Sequence, residues 1–229
     1  MALLGIHAGA LARLEWSEPF TQPMKTKRLL LQSALLILAF TLVACDESKP
    51  NTGQSSTPEK KITETQTGRY ALQKMLPVAR FWAADAKPIQ LESSPSSENN
   101  GQDGKSAFWR ATFGSVSRGK SEPFSWSGTP DSHGVDHGVE DTFNPNNRST
   151  QPWDLAFLKV DTDKAFEVAQ EHGGKELLSK EPKMQIMYFL GWNAGSSQLA
   201  WFVIYGGSTS SAKLTVLVDA STGHFLRKE

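Results

Sequence analysis

Residues 199–226, LAWFVIYGGSTSSAKLTVLVDASTGHFL, decide the fold class of this chain. Within them, residues 199–205 and 214–219 are rich in β-branched and aromatic side chains, which is typical of strands. The Gly- and Ser-rich residues between these two segments are typical of a hairpin loop. A third strand candidate, residues 184–192, comes just before them. The C-terminal part of the chain therefore predicts three antiparallel strands joined by short connections.

A helix is expected ahead of these strands. Asp161 or Thr162 can cap its N-terminus, and the apolar residues among 165–169 supply one buried side. Gly173 and Gly174 are expected to interrupt it. A helix packed on one face of an antiparallel sheet is an α+β arrangement, and this is the fold class that the sequence predicts.

The same order of elements occurs earlier in the chain. Residues 69–86 have apolar side chains at helical spacing, with a kink or break expected at Pro77. Residues 89–91, 108–113 and 122–126 follow as strand candidates. The chain therefore predicts two tandem αβββ units.

A shift along the sequence supports a duplication of this unit. Shifted by 92 positions, residues 107–114 overlie residues 199–206, and a shift of 94 or 95 brings residues 89–91 onto 184–186. Two units and a polar loop or linker between them are expected, over residues 68–130, 159–229 and 131–158 respectively.

Tryptophans are expected to fill the core between helix and sheet. Trp82, Trp109 and Trp201 lie in segments with a buried helical or alternating pattern, and each such ring buries a large apolar area. Trp153 follows Pro152 in a loop, where a core position and a sugar- or peptide-binding groove are both consistent with the sequence.

The strand at 214–219 ends in Asp219-Ala-Ser-Thr-Gly223. Asp219 can accept backbone N–H bonds two residues on, and Gly223 can adopt a left-handed conformation, so the two residues predict a structural turn. The pattern resembles the last strand and turn of PepSY-type domains, directly over residues 160–229. That family occurs in propeptides of secreted proteases and in envelope proteins. The resemblance implies peptide binding or peptidase inhibition, and it brings no catalytic residue with it.

The N-terminal segment predicts where the protein resides. Three cations among residues 25–28 are followed by the uncharged, leucine-rich residues 29–44. This order predicts a secretory signal peptide over residues 24–44. Residues 1–23 are more polar and precede that signal, so we expect them to be a spurious extension of the reading frame.

The signal ends in Leu-Val-Ala-Cys at residues 42–45, which resembles the lipobox of bacterial lipoproteins. In that family the chain is cut before the cysteine, whose sulfur is acylated. The resemblance implies that Cys45 is lipidated and anchors the protein in the cell envelope, facing the periplasm or the exterior. An uncleaved membrane anchor is the alternative, although a run of 16 apolar and small polar residues falls short of the ~20 that a span requires. Residues 45–67 are polar and predict a disordered tether.

Composition excludes several classes of protein. The chain has 229 residues, with 24 basic and 24 acidic side chains. A protein that follows the nucleic-acid backbone needs a surplus of Lys and Arg, so no nucleic-acid partner is expected. The single cysteine excludes a disulfide framework and a zinc site built from cysteines.

One cluster resembles a metal site in composition. His133 and His137 lie in residues 131–141, which also contain four carboxylates, and such side chains can ligate a divalent ion. Gly134 and Gly138 disfavour a helix that would bring the two imidazoles onto one face. A solvated polar loop is therefore the preferred interpretation, and no metal, cofactor or catalytic residue is assigned.

The sequence favours a non-catalytic, membrane-anchored envelope lipoprotein that binds a peptide or modulates an extracytoplasmic peptidase. We expect the edge strand of the sheet to dock the partner by strand addition. Two alternatives stay open. One is a divalent-metal-binding protein or metal-dependent enzyme that uses His133 and His137, and the other is a structural lipoprotein of envelope assembly.

Overall fold

The computed structural model describes residues 62–193, 195 and 197–229. Cys45, the predicted extension over 1–23 and the predicted signal peptide over 24–44 lie outside the described residues, as does the predicted tether up to residue 61. Within the described part, the helices are α1 (Gly68–Trp82), α2 (Thr162–Ala169) and α3 (Lys175–Lys180). The strands there are β1 (Lys87–Ser93), β2 (Phe108–Ser115), β3 (Lys120–Ser127), β4 (Gly134–His137), β5 (Asp141–Thr142), β6 (Ile186–Asn193), β7 (Gln198–Tyr205), β8 (Leu214–Asp219) and β9 (Phe225–Lys228).

These strands form a single antiparallel sheet in the order β4-β3-β2-β1-β6-β7-β8-β9, with β5 also paired to β3. The two αβββ segments meet at the centre, where β1 pairs with β6 through Leu91↔Leu190 and Glu92↔Phe189. Helices packed on an antiparallel sheet confirm the α+β class. The two segments share one sheet, because each would otherwise leave the edge of its first strand unpaired.

The two halves have matching strand registers. Leu91 pairs with Ala111 in the first half, and Tyr188 pairs with Val203 in the second. The sequence shift of 92 positions makes Ala111 and Val203 equivalent residues of the two halves. Their cross-strand partners, Leu91 and Tyr188, are 97 positions apart. The shift of 94 or 95 for residues 89–91 is therefore wrong. β1 has an irregular register next to Pro88, and a short apolar pattern does not reveal such a slip.

Equivalent tryptophans hold the chain ahead of each helix. Trp109 in β2 donates its indole N–H to the carbonyl of Gln66 at 2.9 Å, two residues before α1. Trp201 in β7 donates to the carbonyl of Val160 at 2.9 Å, two residues before α2. Both rings are fully buried, as predicted. Each half therefore uses one aromatic side chain to place its helix on its strands.

The two helix N-termini meet and share their caps. Asp161 accepts the backbone N–H of Thr162 at 2.8 Å, as expected of a cap for α2, and also that of Arg69 at 3.0 Å. The hydroxyl of Thr162 accepts the N–H of Gly68 at 3.1 Å. Because Thr67 supplies no side-chain cap to α1, the second half of the chain satisfies the first helix.

α1 and α2 contact the same face of the sheet, and leucines of α3 pack against the core beneath them. The core between them contains Leu72 and Met75 of α1 and Ala165 of α2, against alternate residues of the strands. α1 continues through Pro77, so the predicted break is wrong; buried Met75 and Ala79 on either side hold both turns on the sheet. Among the described residues, no helix has the length and apolar composition to cross a membrane.

Two stretches predicted as polar connections are built into the fold. Glu64 donates its N–H to Gly128 at 2.8 Å, and Gln66 forms an antiparallel bridge with Ser106, so ordered structure begins before residue 67. Residues 131–158 contain β4 and β5, and Trp153 is buried, with its indole N–H 2.9 Å from the carbonyl of Ile89. This segment has the composition of a loop, but it is ordered because its strands pair with β3 and one aromatic ring is buried.

The closing turn has the geometry that its residues favour. The carboxylate of Asp219 accepts the backbone N–H groups of Ser221 and Thr222, both at 2.8 Å. Gly223 has φ of 79°, in the left-handed region, and donates its N–H to the carbonyl of Asp219 at 2.8 Å. The turn sends β9 back along β8.

An aspartate after α1 predicts a pH dependence of stability. Asp85 accepts the Ser115 hydroxyl at 2.6 Å and the Ser117 N–H at 2.9 Å, and these hydrogen bonds lower its pKa from 3.8 to about 2. Because the pKa is lower in the folded chain, the carboxylate stabilises the fold above about pH 4, and this contribution is lost as the pH falls to about 2. We expect urea unfolding to show wild type more stable than Asp85→Asn at pH 7, with the difference shrinking from pH 4 to pH 2.5. A pH-independent difference would contradict this assignment.

Candidate functional site

The face of the sheet opposite the described helices carries its own set of side chains. Side chains alternate between the two faces of each strand, so the buried core residues of β2 alternate with half-buried or exposed residues such as Arg110 and Thr112. In β6 and β7 the same alternation places Phe189 and Phe202 on this second face. We call it the open face.

A row of residues crosses the open face from β4 to β9, with one residue from each strand in the order of the sheet. Each is the direct cross-strand partner of the next. From β4 to β9 the row consists of Asp136, Ser125, Arg110, Glu92, Phe189, Phe202, Leu217 and Arg227. Its first half is polar, and its second half is apolar up to the charged Arg227 on the edge strand β9. The two halves meet at the central β1–β6 pair.

Two depressions lie on the polar side of the open face, and the polar half of the row lines one of them. One, of about 280 Å³, is lined by Glu92, Arg110 and Ser125 together with the ring of Phe108. The second, of about 480 Å³, lies around Thr112, between the strands and the loop that follows β5. Both are open to solvent and lined by polar and apolar groups, so they suit a polar chain segment more than a buried apolar ligand.

Arg110 and Glu92 are the charged groups of the polar half that lie nearest the centre of the sheet, whereas Asp136 lies at its β4 edge. Arg110 is exposed and Glu92 is half-buried, and the two are direct cross-strand neighbours. Within the described part of the chain, neither side chain makes a hydrogen bond, ion pair or ring contact. A guanidinium and a carboxylate side by side, both free to bind, can engage charged or backbone groups of a ligand.

The apolar half is formed around two phenylalanines. The rings of Phe189 and Phe202 are 5.6 Å apart and packed edge to face, and both are half-buried. Ile204 and Leu217 on this face are buried, yet they lie outside the core cluster beneath the helices. This half presents aromatic surface to whatever lies over the sheet.

Both edges of the sheet are short. β4 and β9 have four residues each. On β9, the ring of Phe225 is stacked on His172 at 3.7 Å, and Arg227 pairs with Glu229 at 2.8 Å. Short, charged edges give an added strand little to pair with. The geometry therefore favours the open face over the edge that the sequence analysis expected to dock a partner.

The two candidate metal-binding histidines bind different carboxylates. His133 lies 3.0 Å from Glu64, and His137 Nδ1 lies 2.6 Å from Oε1 of Glu122. β4 is extended between them, which separates residues four apart by about 13 Å. In the described residues, no group of three or more His, Cys, Asp or Glu is placed to hold a metal ion. The structure does not bring these imidazoles together.

The two tyrosines whose pKa values are raised have structural roles. Burial raises the pKa of Tyr188 and of Tyr205, so both hydroxyls stay protonated. Tyr188 donates to the carbonyl of Gly101 at 2.6 Å, and Tyr205 accepts the side-chain N–H of Gln170 at 2.7 Å. Both point to the helix side of the sheet, away from the open face. They hold loops and helices in place rather than serve as acids or bases for a ligand.

Sequence reasoning missed the residues of the open face. The signal was present as a second alternation, with Glu92, Arg110, Phe189 and Phe202 at every other position between core residues. Only the pairing of β1 with β6 shows that the polar and apolar runs join into one row.

Comparison with known proteins adds one structural likeness. No protein-family model matches the chain, and no curated protein matches it. A solved structure of a "putative lipoprotein" from Clostridium difficile 630 is 12% identical, with a TM-score of 0.47, and the match covers 75% of this chain and 99% of that one. The functional argument therefore depends on the geometry of the open face.

Proposed function

We propose that this chain is a lipid-anchored envelope protein that binds an extended polypeptide on the open face of its sheet and catalyses no reaction. The polypeptide is a free peptide or an exposed segment of an extracytoplasmic peptidase, as the PepSY-like closing turn implies. The observation that supports this proposal best is the continuous row across the open face. In it, Arg110 and Glu92, which have no side-chain partner among the described residues, lie beside the aromatic pair Phe189 and Phe202.

The physical basis is complementarity to a polypeptide. An extended chain presents charged and apolar side chains at regular intervals, and the row offers both kinds of partner across several strands. Aromatic and arginine side chains contribute most of the binding energy in many protein interfaces. We do not propose a metal-dependent role, because His133 and His137 pair with separate carboxylates.

The anchor is proposed from the leader and the lipobox resemblance at residues 42–45. Mass spectrometry of the protein isolated from cells tests it directly. We expect a mature N-terminus at an acylated Cys45, and loss of membrane attachment in Cys45→Ala. An unmodified Cys45 within a chain that starts at Met1 or Met24 would contradict the anchor and leave the binding face to be tested separately.

Binding is tested with a random library of twelve-residue peptides displayed on phage and full-length protein in mild detergent. We expect enriched peptides whose affinity falls about tenfold or more in Phe202→Ser, since an aromatic contact with the peptide is lost from the open face. Phe81→Ser is the matched control, because Phe81 is 95% exposed on α1 in the helix layer. Lack of enrichment, or equal losses in both variants, would refute peptide binding on the open face.

A further inference from the structure

We infer that the open face recognises an extended segment of the form acidic–x–basic–x–apolar, with its acidic residue over Arg110 and its apolar residue over Phe202. This inference deepens the proposed function and rests on it. It is carried by the juxtaposition, along one row, of a cation and an anion that have no side-chain partner within the described part of the chain, and an aromatic pair.

The spacing follows from strand geometry. Neighbouring strands are about 4.8 Å apart, so the three steps from Arg110 through Glu92 and Phe189 to Phe202 span about 14 Å. Alternate side chains of an extended peptide lie about 6.8 Å apart on one side, and two such intervals also span about 14 Å. A peptide crossing the strands along the row therefore places its first, third and fifth side chains on the sheet.

The first and last contacts follow from charge and polarity. Arg110 is exposed and has no side-chain partner in the described residues, so a carboxylate can form a paired, charge-assisted hydrogen bond with it. At the other end, the half-buried ring of Phe202 offers apolar surface beside Phe189. When an aliphatic or aromatic side chain of the peptide packs there, both its own apolar surface and that of the Phe202 ring are removed from water.

The middle contact is specified by two neighbouring residues of opposite character. The third peptide side chain lies between Glu92 and Phe189, which pair directly across the centre of the sheet. Lysine or arginine suits this position, because its aliphatic stem packs on the phenylalanine ring while its charged end reaches the carboxylate. An acidic side chain at the same place would meet Glu92 with like charge.

Charge reversal at Arg110 tests the inference. With wild-type protein we expect the phage library to enrich the acidic–x–basic–x–apolar pattern, and with Arg110→Glu we expect the first position to become basic while the other two stay the same. A synthetic peptide of the wild-type pattern should bind Arg110→Glu at least about tenfold more weakly, measured by fluorescence anisotropy. Arg80→Glu, which makes the same charge change at an exposed position of α1, should bind as wild type does.

The outcomes separate this inference from the proposed function. Enriched peptides without a charge pattern, or with one that Arg110→Glu does not change, would overturn the inference and leave peptide binding standing. If no peptide is enriched, both fail. Self-association of the wild type, seen by light scattering and abolished by Arg110→Glu, would show that a second copy covers the face and would also overturn the inference. Equal urea midpoints of the variants and wild type confirm that each protein is folded.

Discussion

Replacing Trp201 with alanine is expected to lower the free energy of unfolding by about 3–5 kcal/mol, as is typical when a large buried aromatic side chain is removed. The ring is fully buried, and its N–H bonds the carbonyl of Val160 at 2.9 Å just ahead of α2. The substitution therefore leaves both a cavity and an unpaired carbonyl where the helix begins. Urea unfolding followed by circular dichroism measures the loss.

Two further substitutions separate packing from hydrogen bonding. Trp201→Phe retains most of the ring and loses the donor, so it should be much less destabilising than Trp201→Ala. Trp109→Ala removes the equivalent ring of the first half, which bonds Gln66, and should give a loss similar to that of Trp201→Ala. A loss below about 1 kcal/mol in Trp201→Ala would show that the indole does not hold α2 on the sheet.

Gly174→Ala is expected to destabilise the fold by about 3 kcal/mol, at the upper end of the range for overpacking. A Cβ atom at residue 174 would overlap the hydroxyl and ring of Tyr205 and lie 2.8 Å from the carbonyl oxygen of Ala169. Tyr205 is fully buried, so relief of the overlap requires its ring or the turn to shift within a closely packed interior. The close approach at this glycine sets how near the α2–α3 turn lies to the sheet.

A double-mutant cycle identifies the clash. In a Tyr205→Phe background the hydroxyl is absent, so Gly174→Ala should cost less than it does in wild type. Gly195→Ala is the control substitution, since the nearest atom to its Cβ is Oδ1 of Asn193 at 3.7 Å. If Gly174→Ala and Gly195→Ala have equal effects on the urea midpoint, the turn does not depend on a bare glycine.

Much of the local structure could be predicted from residue types. Alternating apolar side chains around Trp201 and Trp109 indicate strands with one buried face, and both rings are buried. At the closing turn, Asp219 supplies a side-chain acceptor and Gly223 supplies a left-handed backbone conformation. These features depend on contacts within a few residues, so a short pattern contains the information.

Errors occur where distant contacts override local composition. Residues 131–158 have the composition of a loop, but pairing with β3 and burial of Trp153 order two strands and a buried ring there. Pro77 does not break α1, because the residues around it pack on the sheet. In each case, burial of apolar surface outweighs a local preference.

The sequence by itself determined the antiparallel strands, the helices that cover one side of them, and the closing turn, because side-chain alternation and turn chemistry act over short distances. Only the tertiary structure decided that Glu92 lies beside Phe189. That register joins residues nearly a hundred positions apart, and the packing of both halves into one sheet sets it. The row that binds a partner in our proposal exists because of this long-range pairing.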